Sequence, residues 1–132
     1  MKHVLLIIDD DEKIAQLVEA IARQYQIDLQ IVSADSGAKG IWLARVARPD
    51  LVLLDVKLPD IDGMELCRLL RQHPATKDLR ILLMSGMMTG PEDRLRGLQS
   101  GANDYIFKPF CIDALVASLQ MHTQPKQKEA QG

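Results

Sequence analysis

Cysteine is nearly absent: Cys67 and Cys111 are the only two in 132 residues. They make neither a metal-ligand spacing nor a disulfide framework, so a reducing cytoplasm is the expected compartment. An excess of one charge is also missing. Sixteen Lys+Arg against eighteen Asp+Glu leave a formal charge of −2, which argues against nucleic acid or an anionic membrane surface as the main partner. Nor is there a long hydrophobic run, since none approaches the roughly 20 residues that a membrane helix needs. Met1-Lys2-His3 followed by Val4–Ile8 imitates the start of a signal peptide, but Asp9-Asp10-Asp11 cuts the apolar stretch too short for one. No segment repeats and none is low-complexity. What remains is an ordinary globular composition, 47% hydrophobic and 26% charged, on a chain long enough for one sizeable core.

Short apolar runs alternate with stretches of helical period. Val4-Leu5-Leu6-Ile7-Ile8 is continuous and rich in β-branched residues, the pattern of a strand buried on both faces. Ile14, Leu17, Val18, Ile21 and Ala22 then mark one face of a helix that Asp10 or Asp11 can cap. Leu29–Val32 is a weaker second strand. Asp35-Ser36 can cap a helix carrying Ala38, Ile41, Trp42 and Val46, with Trp42 assigned to helix packing and the end placed before Pro49. Leu51-Val52-Leu53-Leu54 is a third strand, closed by Asp55. The loop Lys57–Gly63 leads to a helix with Leu66, Leu69 and Leu70 on one side, and Ile81–Met84 is a fourth strand. Pro91 suits the first position of a helix with Leu95 and Leu98, stopped by Ser100-Gly101. Tyr105-Ile106-Phe107 is a short fifth strand, and Leu115, Val116 and Leu119 mark a last helix. The polar tail Lys126–Gly132 is expected to be loose.

Five strands alternating with five helices predict a single α/β domain with a parallel sheet covered on both faces. Working sites in such sheets lie at the carboxyl ends of the strands, where the strand order reverses. Those ends carry Asp9-Asp10-Asp11, Asp55, Ser85 and Lys108-Pro109. Carboxylates on neighbouring strands, about 4.8 Å apart, repel by roughly 3 kcal/mol at an effective dielectric near 20. A hard cation such as Mg²⁺ offsets that cost, whereas helix capping explains one or two of the three leading aspartates. Ser85 alone reads as a turn residue and Lys108 alone as a solvated lysine. Their joint occurrence with the acidic groups gives a hydroxyl and an ammonium suited to phosphoryl oxygens.

The stretches LLIIDDDEKI, PDLVLLDVKLPDIDGMEL, ILLMSG and SGANDYIFKPF, in this order and spacing, resemble the receiver domain of two-component response regulators from about Val4 to Leu119. The resemblance implies a flavodoxin-like, doubly wound five-stranded sheet of order 2-1-3-4-5. It places a receiver domain at 1–122 and a polar tail or the start of a linker at 123–132. It implies phosphorylation of Asp55, with Ser85 and Lys108 as the catalytic hydroxyl and lysine and a cis Lys108–Pro109 bond. Mg²⁺ is expected on Asp9, Asp10, Asp55 and the Lys57 carbonyl. Ser85 and Tyr105 are the expected switch, acting on the surface of helix four, strand five and helix five. The implied partner is a sensor histidine kinase or a histidine phosphotransfer domain. No direct nucleic-acid contact, no membrane contact and no enzymatic turnover beyond its own phosphorylation and dephosphorylation are expected. Homodimer formation on phosphorylation stays open, because the last helix, Ala114–Met121, lacks the Arg that makes dimer salt bridges in the DNA-binding branch.

Cys111 stands where a capping Ser or Thr is common, and Arg80 where relatives often have Pro. Met84, Met87 and Met88 read as packing residues at a mobile edge and not as ligands. His3, His73 and His122 are scattered and receive no role. Among rivals, a haloacid-dehalogenase-type phosphohydrolase also uses an Asp nucleophile and Mg²⁺. Asp9-x-Asp11 would fit it, but Lys13 replaces the Thr of that motif. A flavodoxin needs a Ser/Thr/Gly-rich phosphate loop, and Asp9–Asp11 would repel a phosphate. A non-phosphorylated docking module would not require all five site residues.

Overall fold

The structure is a computed structural model that describes residues 3–87, 90–108 and 112–122. Strands β1 (His3–Ile8), β2 (Leu29–Ala34), β3 (Leu51–Asp55), β4 (Arg80–Ser85) and β5 (Asp104–Phe107) alternate with helices α1 (Glu12–Gln24), α2 (Gly37–Val46), α3 (Gly63–Gln72), α4 (Pro91–Gln99) and α5 (Ile112–His122). All neighbouring strands pair in parallel, in the order β2-β1-β3-β4-β5. The expected doubly wound, flavodoxin-like topology is therefore what the chain adopts. Order reverses between β1 and β3, and the carboxyl ends of these strands hold Asp9 and Asp55.

Alternation of side chains along each strand builds two cores. Leu5, Ile7, Leu51, Leu53, Leu82 and Met84 meet Val18 and Ile21 of α1 and Leu115, Val116 and Leu119 of α5. Leu6, Ile8, Val52, Leu54, Ile81, Leu83 and Tyr105 face the other way, onto α2 and α3. Leu51 to Leu54 are wholly buried, as expected for a central strand with helices on both faces. Each fully buried Leu or Val contributes roughly 1.5–3 kcal/mol of transfer free energy.

The caps follow sequence logic. Asp11 accepts from Lys13 N–H at 3.0 Å at the start of α1, Ser36 caps α2 and Asp62 caps α3. Pro91 opens α4, and Ser100 with the left-handed Gly101 (φ +108°) closes it. Helix α2 ends at Val46, ahead of Pro49.

Packing expectations are corrected at five residues. Trp42 is 63% exposed and Val46 also points to solvent; α2 instead buries Gly37, Gly40 and Ala44. A Cβ at Gly40 would stand 2.6 Å from Ile8 Cδ1, so the small residues draw α2 onto the sheet and turn Trp42 outward. Leu69 and Leu95 are exposed as well. Of α4, the residue buried is Gly97, where a Cβ would lie 2.3 Å from Tyr105 Cδ2. Met84 packs as expected, but Met87 is exposed. The expectations for Met88, Pro109, Cys111 and the tail 123–132 lie outside the described residues.

Candidate functional site

Two strand ends bring the acidic groups together. Asp9 follows β1, Asp55 closes β3, and oxygens of Asp9, Asp10 and Asp55 all lie within 4.8 Å of one another. Asp9 and Asp55 are buried while Asp10 is exposed. Backbone amides fix the two buried carboxylates: Asp11 N–H donates to Asp9 Oδ1 at 2.9 Å and Lys57 N–H to Asp55 Oδ1 at 3.2 Å.

Lys108 enters from the end of β5, where its own N–H donates to Ser85 C=O at 2.8 Å. Its ammonium donates to Asp9 Oδ2 at 2.8 Å and reaches Asp55 Oδ2 at 3.4 Å. Burial works against the Lys108 charge, but the hydrogen bond to Asp9 and the two carboxylates outweigh it and push its pKa up. Burial first, then the negative charge of Asp9, raises Asp55 from 3.8 to about 6 in spite of Lys108. The cluster thus carries more negative charge than one ammonium relieves. Three convergent carboxylates of hard oxygen character suit a small divalent cation such as Mg²⁺.

Ser85 is buried at the end of β4, and its hydroxyl accepts from Met87 N–H at 3.2 Å. Tyr105 is buried one strand away, its ring edge-on to Phe107 at 5.5 Å. Burial raises the Tyr105 pKa, and a side-chain hydrogen bond with Ser85 opposes that shift. The hydroxyl at the site therefore lies close enough to the aromatic residue beneath α4 to influence it. Arg94 of α4 binds the same strand, donating to Tyr105 C=O at 2.8 Å and to Asp104 at 3.0 Å. A cavity of about 530 Å³ opens over Asp55, with Lys57, Leu58, Ile61 and Asp62 on one side and Ser85, Gly86 and Met87 on the other.

All the residues singled out in the sequence lie along this one edge. Asp9, Asp10, Asp55 and Lys108 converge. Ser85 and Lys57 border the cavity, and Tyr105 sits behind Ser85. Sequence reading missed Asp60, which reaches from the β3–α3 loop to the first turn of α2. Its carboxylate accepts from Gly37 N–H at 2.8 Å and Ala38 N–H at 3.0 Å, and these two amides lower its pKa. Gly97 was missed too, although a glycine inside the helical run PEDRLRGLQ signals a close approach.

Fold and site together define a doubly wound α/β module with a cation-ready acidic pocket at its switch point. The family model for the response regulator receiver domain matches residues 5–120, and the chain belongs to that family. It is a receiver domain, the phosphoacceptor switch module of two-component signalling. The cell cycle response regulator CtrA of Brucella ovis is 38% identical over 127 residues, 96% of this chain and 53% of that protein. The chain spans about half the length of the curated relatives it matches. Among solved structures, a chain from Chloroflexus aurantiacus J-10-fl described as a response regulator is 36% identical with a TM-score of 0.82, over 92% of this chain and 98% of that one. The receiver domain of a sensor histidine kinase from Pseudomonas aeruginosa PAO1, solved with a magnesium ion coordinated in its active-site cleft, is 26% identical with a TM-score of 0.77, over 92% and 97%. No helix among the described residues is long and apolar enough to cross a membrane.

Proposed function

We propose that Asp55 is the phosphoacceptor, that Asp9, Asp10, Asp55 and the Lys57 carbonyl hold Mg²⁺, and that Ser85, Lys108 and Tyr105 convert phosphorylation into a change of surface. The observation that carries this reading is the convergence of Asp9, Asp10 and Asp55 under the Lys108 ammonium. Bound Mg²⁺ would neutralise charge among the carboxylates and on the phosphoryl oxygens.

The chain's own residues account for the rest. Asp55, held by the Lys57 N–H, presents its other oxygen to the phosphorus of a phosphohistidine. A new O–P bond forms as the P–N bond breaks, and the imidazole nitrogen leaves with the electron pair. Lys108 lies 3.4 Å from that Asp55 oxygen and can pair with a phosphoryl oxygen once the charge has moved outward. The Ser85 hydroxyl can donate to another. Moving toward it changes the surroundings of the Tyr105 side chain, and through Tyr105 the seat of α4 at Gly97. Such a step biases a two-state surface rather than creating one.

The donor in this reading is a sensor histidine kinase or a histidine phosphotransfer domain, and the compartment is the cytoplasm. Residues 1–122 form the receiver unit and 123–132 a tail or linker start. Beryllofluoride with Mg²⁺ tests the reading, since it mimics an acyl phosphate. Amide resonances of Ser85, Tyr105, Lys108 and α4 should shift together. A spectrum in which only Asp55 and its immediate neighbours move would contradict the switch.

A further inference from the structure

The β3–α3 loop forms one wall over Asp55, and only its base is held by its own strands and helix. Val56 N–H donates to Met84 C=O at 2.9 Å and Gly63 N–H to Val56 C=O at 2.7 Å. Asp62 accepts from Met64 N–H at 2.7 Å and so belongs to α3. Between these anchors the chain projects toward α2. There Asp60 places one oxygen on Gly37 N–H at 2.8 Å and the other on Ala38 N–H at 3.0 Å. Amides in the first turn of a helix have no partner within it, and negative charge is favoured there. Ser36 satisfies Lys39 N–H at 3.2 Å, so α2 is capped from two sides, by its own chain and by the loop. Ile61 closes the joint: a Cβ at Gly37 would stand 2.3 Å from Ile61 Cγ2.

Helix α2 is in turn seated on Ile8 through Gly40, and Ile8 immediately precedes the acidic pair Asp9 and Asp10. The path from Asp60 therefore runs through α2 and β1 back to the cation-ready carboxylates. On the other side, the same loop supplies the Lys57 N–H that orients Asp55 and the Lys57, Leu58, Ile61 and Asp62 lining of the cavity.

We propose that Asp60 is a positioning residue of the acceptor site: its double hydrogen bond to the first turn of α2 sets the β3–α3 loop relative to Asp9 and Asp10, and so fixes the geometry in which cation and phosphoryl donor reach Asp55. The inference rests on Asp55 being the acceptor. Asp60 touches no reacting group and acts through the loop.

The test compares Asp60→Ala, Asp60→Glu and Ser36→Ala in the whole chain. Mg²⁺ binding is followed by calorimetry, and Asp55 labelling by phosphoramidate across Mg²⁺ and donor concentrations. Ser36→Ala removes the other cap of α2 and serves as the control for helix fraying. Asp60→Ala should raise the half-saturating Mg²⁺ concentration, lower the maximal labelling rate, or both, by roughly threefold to tenfold. Asp60→Glu, which can still reach the amides, should recover part of the loss. Ser36→Ala should lower the melting temperature with little change in labelling. Equal labelling losses in Ser36→Ala and Asp60→Ala would make Asp60 a helix cap and nothing more, and wild-type behaviour of Asp60→Ala would also overturn the proposal. Absence of Asp55 labelling in the parent chain would instead remove the acceptor assignment, with the Mg²⁺ titration still reporting on the clamp.

Discussion

Lys108 and Asp9 meet at 2.8 Å across the carboxyl edge of the sheet, joining the end of β5 to the end of β1 over the two strands between them. The Asp9 side chain is 1% exposed in this pair, so its charge depends on the ammonium when no other cation is near. Removing one partner of a buried ion pair costs about 3–5 kcal/mol, because the other charge is left unpaired. Lys108 also stands where a phosphoryl group would arrive, which makes the same residue a resting counter-ion and a ligand of the product.

Metal and lysine should therefore act on stability in linked ways. Mg²⁺ at a hundred times its dissociation constant should stabilise the fold by about 2.7 kcal/mol, a shift of several degrees in melting temperature. Lys108→Ala should lose about 3 kcal/mol without metal, recover much of it in Mg²⁺, and fail to transmit phosphorylation to Tyr105. Asp10→Asn, at an exposed position, should gain at most about 1 kcal/mol without metal while binding Mg²⁺ more weakly. Calorimetric melts with and without Mg²⁺ check all three. Superimposable curves for the parent chain would count heavily against the cation site.

The proton on Asp55 gives a pH signature. Its folded-state pKa, about 6, lies above the ordinary 3.8, so protonation favours the folded form. That contribution is complete below the ordinary value and is lost as pH rises through about 6. Metal-free stability should fall between about pH 4 and pH 6 and level off above that, and Asp55→Asn should flatten that part of the profile. Mg²⁺ affinity should run the other way, weakening as pH falls and the proton competes. An Asp55→Asn profile as steep as wild type would assign the dependence to another group.

Gly97 and Tyr105 should behave as a coupled pair. A Cβ at residue 97 would stand 2.3 Å from Tyr105 Cδ2 and 2.8 Å from Cε2. Gly97→Ala should destabilise by about 1–3 kcal/mol through overpacking and move the Tyr105 ring resonances. In a Tyr105→Ala background the same change should be neutral or stabilising by up to about 1 kcal/mol, the ordinary helix preference of Ala over Gly. A double-mutant cycle measures the difference, and additive effects would mean that α4 does not rest on Tyr105.

Lifetime of the acyl phosphate should depend on Lys57 and Met87, which border the cavity over Asp55. Hydrolysis needs a water lined up opposite the acceptor. An ammonium cannot accept a hydrogen bond from that water and a thioether does so weakly. The phosphorylated state should last minutes or longer, and Lys57→Asn or Lys57→Glu should shorten it. A half-life of seconds, unchanged by either substitution, would show that these side chains do not control the water.

The alternation of strands and helices and the edge that carries the site were legible in the residues, because continuous apolar runs such as Leu51–Leu54 read as buried strands and end on polar groups, whereas the strand order came from the family resemblance. Helix faces were less legible. Trp42, Val46 and Leu95 fit an apolar stripe, yet α2 and α4 approach the sheet through glycines, which carry no hydrophobic signal. Asp60 was invisible for another reason: a loop aspartate reads as a turn residue until the fold brings α2 beside it, and Ser36 already accounted for a cap. Arg71 likewise spans from α3 to Gly101 C=O at 2.8 Å and Asn103 Oδ1 at 2.9 Å, partners that only tertiary structure supplies.

The most direct test of the central assignment is the site of phosphoryl transfer. The chain is incubated with phosphoramidate and Mg²⁺, then analysed by intact-mass spectrometry and by peptide mapping after borohydride reduction of the acyl phosphate. One acid-labile phosphoryl group per chain, mapped to Asp55, dependent on Mg²⁺ and absent from Asp55→Asn, is the predicted result. Labelling that persists undiminished in Asp55→Asn, or that maps to Asp9 or Asp10, would contradict it.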